Sequence, residues 1–149
     1  MVARVLLAYD GSKEGGDALL QTVALNEFIK ADVRLLAVAP PSPTLTVYAA
    51  EGYMPIDMMP EELERYQSVL DEGIQKMQAR GFHVEGLISS GDPVTEICRV
   101  AEELDVDLII IGHRRNRSLV DRWWHGSVGA GLLEQAPCSV LIAVEKQKS

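Results

Sequence analysis

Residues 107–112, DLIIIG, decide the fold: Leu108 and three consecutive isoleucines stand between an aspartate and a glycine. A short β-branched run bounded by turn residues is the strongest strand signal in this sequence. Just before it, Val94, Ile97, Val100, Ala101 and Leu104 fall on one side of a helix over 93–104, with Asp92 placed to cap it ahead of Pro93. After it, residues 126–134 read as a short helix and Ser139–Val144 as a final strand.

The rest of the chain repeats the alternation. Val2–Ala8 and Val33–Val38 read as strands, separated by a helical pattern over 13–30 with Ser12 as its cap. Leu63, Tyr66, Leu70, Ile74 and Met77 form an i, i+3/i+4 stripe over 60–80, which Gly81 stops, and His83–Ser89 is a further strand. Five strands alternating with four helices predict a parallel sheet with helices on both faces, in one α/β domain spanning 1–149. One connection breaks the rhythm. Residues 39–59, APPSPTLTVYAAEGYMPIDMM, hold four prolines and no period. They read as a long irregular loop, either a variable excursion or a lid or partner contact through Tyr48, Tyr53, Met54 and Met58.

Composition narrows the function. The chain is 47% hydrophobic and 24% charged, as in a folded globular protein. A net charge of −8 opposes binding to nucleic acid or anionic membranes. The apolar run of MVARVLLAYDGS is too short for a signal-peptide core or a membrane span, so no membrane insertion and a cytoplasmic location are expected. Cys98 and Cys138 read as reduced thiols, and no Cys or His spacing suggests a metal site.

In open parallel sheets, ligands bind beyond the carboxyl ends of the strands, where the strand order reverses. Asp10, at the end of the first strand, is either a turn residue beside Gly11 or a carboxylate for ribose hydroxyls. Gly126-Ser127-Val128-Gly129 opens a helix, and helix amino termini favour anions. Arg114, Arg115 and Arg117 lie upstream, and guanidinium forks suit phosphate. Asp121, Glu102 or Glu103 could pair with them instead. Trp123 and Trp124 read as loop packing, and His113 and His125 face no recognisable nucleophile.

VLLAYDGS, GDPVTEI, DLIIIG and HGSVGAGLLEQAPCSVLIAV together resemble the universal stress protein family along essentially the whole chain. The resemblance implies a doubly wound, Rossmann-like sheet in the order 3-2-1-4-5. It implies a homodimer through the last strand, Ser139–Val144, whose exposed edge would otherwise be a pairing hazard. In nucleotide-binding members, the loop carries a glycine, two residues, a second glycine, nine residues, then Gly-Ser or Gly-Thr. By that match Gly112 is the first glycine and Gly126-Ser127 the closing pair. Asp10 matches the ribose contact, Val38 the residue against adenine, and Val128 and Gly129 positions along the phosphates. Two features depart from the pattern: Arg115 replaces the second glycine, and ten residues separate it from Gly126.

The resemblance implies a regulatory protein binding an adenine nucleotide, ATP or AMP, with or without Mg2+, without efficient turnover and read by a protein partner. Asp10, Val38, Gly112, Arg114, Arg115, Gly126, Ser127 and Val128 would hold the nucleotide. The alternative is an interaction protein whose Arg115 fills the phosphate pocket. A transferase on the same fold is a third reading, against which the chain lacks G-x-x-x-x-G-K-[ST].

Overall fold

The computed structural model describes residues 3–9, 30–39, 60–113 and 128–144. Its elements in chain order are β1 (Arg4–Ala8), β2 (Asp32–Ala39), α1 (Pro60–Gln78), β3 (Val84–Ser90), α2 (Pro93–Glu103), β4 (Leu108–His113), α3 (Val128–Gln135) and β5 (Ser139–Val144). The strands form one parallel sheet in the order β3-β2-β1-β4-β5, so the expected order 3-2-1-4-5 holds. The expected helix over 13–30 and nearly all of the 39–59 loop lie outside the described residues; Ala39 itself is the last residue of β2.

Continuous apolar runs make the central strands because both their faces are covered. On one face Val5, Leu7, Val33, Leu35, Ala37 and Ile110 pack with Leu70 and Met77 of α1. On the other, Leu6, Ala8, Leu36, Val38, Ile109 and Ile111 meet Ile97, Val100 and Ala101 of α2 and Val128 and Leu132 of α3. Alternate residues of each strand thus serve opposite cores.

The helix ends follow from local chemistry. Gly81 ends α1 in the left-handed region, with φ 89°. Phe82 N–H donates to Met77 O at 3.2 Å and Gly81 N–H to Gln78 O at 2.9 Å, satisfying the last carbonyls. Phe82 and Met77 then meet in the same core. At the start of α2, Asp92 Oδ2 accepts from Thr95 N–H at 3.0 Å, with Pro93 in the first turn, where no N–H is needed.

Candidate functional site

The strand order reverses beside β1, which pairs with β2 on one side and β4 on the other. The crevice of such a sheet opens above the carboxyl ends of these two strands. Tyr9, one residue past β1, is buried and extends the ladder, its N–H donating to Leu36 O at 2.9 Å. Beside it, Val38 is the penultimate residue of β2 and fully buried. Gly112 is the penultimate residue of β4, in register with Ala143.

Val128 opens α3 and is buried in the same cluster as Val38, Ala8 and Ile111. Val38 and Val128 therefore lie on one face of the sheet. The first turn of α3 comes close to α2 because Gly131 carries no side chain: a Cβ there would stand 2.8 Å from Val94 Cγ2. Of the predicted site residues, Val38, Gly112 and Val128 are described, whereas Asp10, Arg114, Arg115, Gly126 and Ser127 lie outside the described residues, as do Trp123 and Trp124.

A polar cluster next to Val38 was not read from the sequence as part of a site. Ser89 is in register with Val38 and is the buried polar residue of the described core, with 7% exposure. Its hydroxyl donates to Glu96 Oε1. Arg99 donates to the same oxygen through Nη2 at 3.0 Å and, through Nη1, to Glu103 Oε1 at 2.8 Å. Burial alone would raise the Glu96 pKa, but the bonds from Arg99 and Ser89 outweigh it and hold the carboxyl below its ordinary value. The i, i+3 and i, i+4 spacing of Glu96, Arg99 and Glu103 is legible in sequence as helix-surface pairing; what it lacks there is Ser89.

Other charges serve the frame. Asp107 accepts from the Ala3 and Arg4 amides, each at 2.9 Å, which lowers its pKa and ties β4 to β1. Burial pushes both thiols, Cys98 and Cys138, above their ordinary value. Among the described residues, two surface clefts lie at the amino ends of the strands, away from the crevice. One, of about 300 Å³, includes Arg4, Arg34 and Glu103; the other, of about 550 Å³, includes Lys30, Arg80 and His83. Among the described residues no three His, Cys, Asp or Glu side chains converge as metal ligands, and no helix is long and apolar enough to cross a membrane.

An open, doubly wound parallel sheet with buried apolar residues flanking its switch point defines a Rossmann-like α/β protein. The sequence profile of the Universal stress protein family matches residues 1–143, and the chain belongs to that family. Universal stress protein YxiE of Bacillus subtilis is 30% identical over 149 residues, covering 95% of this chain and 99% of the relative. Two solved structures share the fold. A universal stress protein in complex with cAMP is 20% identical, with TM-score 0.67 and coverage of 97% of this chain and 98% of its own. The universal stress protein from Archaeoglobus fulgidus in complex with dAMP is 16% identical, with TM-score 0.67 and coverage of 95% and 97%.

Proposed function

We propose that this chain binds an adenine nucleotide at the carboxyl end of β1, β2 and β4, and that occupancy regulates a partner protein without efficient turnover. The observation that carries this reading is the placing of Val38 and Val128 in one buried cluster on one face of the switch point. An apolar seat beside a helix amino terminus suits a planar base joined to phosphates. Family members solved with cAMP and with dAMP support the ligand class. In this reading Asp10 and Val38 hold the nucleoside; Gly112, Arg114, Arg115, Gly126, Ser127 and Val128 hold the phosphates of ATP or AMP, with Mg2+ where the nucleotide brings it.

The same reading takes a homodimer through β5, an edge strand on which Val140, Leu141 and Ile142 remain partly exposed. A second copy would cover that edge; sedimentation equilibrium of the wild type and a Leu141→Lys variant tests it.

Calorimetric titration with ATP and AMP, with and without Mg2+, tests the nucleotide reading. Micromolar binding is expected; none by the folded protein would refute it. The loop departures favour a second reading, in which the Arg115 guanidinium takes the place of the phosphates. Arg115→Gly separates the two. A phosphate clamp predicts weaker binding, by about 1.5–3 kcal/mol for a lost charge-assisted bond; a plug predicts binding created or strengthened.

A further inference from the structure

We infer that Glu96, through Ser89 and the turn at Gly91, is a positioning residue for the nucleoside end of the site; this rests on the adenine-nucleotide reading above. The contacts run unbroken from the carboxylate to β2. Ser89 shares the register position and sheet face of Val38, as Leu87 and Leu36 do two residues earlier. Its buried hydroxyl has Glu96 Oε1 as its acceptor, and Arg99 Nη2 approaches the hydroxyl oxygen at 3.4 Å.

Above them, Gly91 turns the chain from β3 into α2 with φ 145°, a conformation that side chains disfavour. The Glu96 side chain lies in the space this leaves: its Cγ is 3.0 Å, and its Cδ 3.4 Å, from where a Gly91 Cβ would stand. The Gly91 N–H donates to Ala39 O at 3.0 Å, one residue past Ser90, which is in register with Ala39 at the end of the ladder. Ala39 directly follows Val38. The carboxylate thus supports a turn whose amide fixes the end of the strand that presents Val38.

Removing the carboxylate leaves the Ser89 hydroxyl buried without its acceptor and the turn without its support, while Asp92, Thr95 and the α2 cap remain. The effect belongs at the nucleoside end. The phosphate end depends on α3, whose contact with α2 runs through Val94 on another side of that helix.

Two measurements on the full chain test this. Hydrogen exchange of the ligand-free protein compares wild type, Glu96→Ala and Glu96→Gln, the amide variant retaining an oxygen acceptor for Ser89. Protection of the Gly91 amide should fall about tenfold in Glu96→Ala and less in Glu96→Gln, with Ile110 and Leu141 amides unchanged. Titration with adenosine and with ATP should show both weakened by the same factor, about tenfold, leaving the ATP-to-adenosine ratio at its wild-type value.

Unchanged protection at Gly91 overturns the inference. So does a loss spread equally over β4 and β5, which would make Glu96 a contributor to stability alone, and so does local loss with both affinities intact. A wild type that binds neither adenosine nor ATP refutes the nucleotide reading and the positioning role that depends on it; the exchange at Gly91 still reports whether the brace exists.

Discussion

Replacing Gly131 by alanine tests whether α3 is held against α2 by the absence of one side chain. A Cβ at Gly131 would lie 2.8 Å from Val94 Cγ2, 3.2 Å from Cγ1 and 3.5 Å from Cβ. All three atoms belong to one β-branched side chain, which is stiff at χ1 and has no flexible end to move aside. Overpacking of this kind costs about 1–3 kcal/mol. Against it, alanine is favoured over glycine inside a helix by about 1 kcal/mol.

The contact wins at 2.8 Å, and the variant should lose about 1–2 kcal/mol, lowering Tm by about 2–8 °C for a domain of this size. Val94→Ala removes both Cγ atoms and leaves 3.5 Å as the nearest approach, an ordinary contact. In that background Gly131→Ala should instead stabilise, by about 0.5–1 kcal/mol. Urea unfolding of the four proteins measures the coupling, expected at about 2 kcal/mol. If Gly131→Ala stabilises in both backgrounds, α2 and α3 do not meet as closely as the 2.8 Å approach to Val94 requires.

Further expectations follow from the cap and the carboxylates. Asp92→Ala should cost about 1 kcal/mol in chemical denaturation, and Asp92→Asn should recover most of it, because either side chain accepts the Thr95 N–H. Glu96 and Asp107 have folded-state pKa values below their ordinary ones. They contribute stability above the usual carboxyl range that is lost as pH falls through the lower folded values. The midpoint of urea unfolding should therefore decline below about pH 4, and less steeply in Glu96→Gln; equal slopes in the two proteins would remove Glu96 from the acid response.

The strands were legible because their burial is extreme. Leu35, Leu36 and Ile109 are fully buried, and such positions admit only apolar side chains, which appear in sequence as unbroken runs. The ends of strands were less legible. The strand read over Val33–Val38 extends to Ala39, directly before Pro40, and Gly91 donates to Ala39 O from a turn fifty-odd residues on. β4 likewise runs past its apolar residues to His113, which is paired with Val144.

The site was legible unevenly for a chemical reason. Glycine, arginine and aspartate announce what they can bind, whereas Val38 is one more core valine until its strand end is known. The adenine contact proposed for it came from the resemblance, and the shared cluster with Val128 only from the fold. Glu96 was hidden differently: its helix partners are close in sequence, but the buried hydroxyl it holds is supplied by the sheet.

The pairing of β1 with both β2 and β4 has a consequence for how the molecule folds. β2 begins about two dozen residues after β1 ends, but β4 begins about a hundred residues later, and the Asp107 bond to Ala3 spans 104 positions. Half of the β1 edge therefore stays open until most of the chain has been made, and closing so long a loop is slow. During that interval an apolar strand displays unpaired amides to any other strand nearby. The seam that joins the paired strands most distant in sequence is the one beneath the crevice. A molecule gripping both sides of that seam would slow its reopening, so the unfolding rate, more than the refolding rate, should report occupancy.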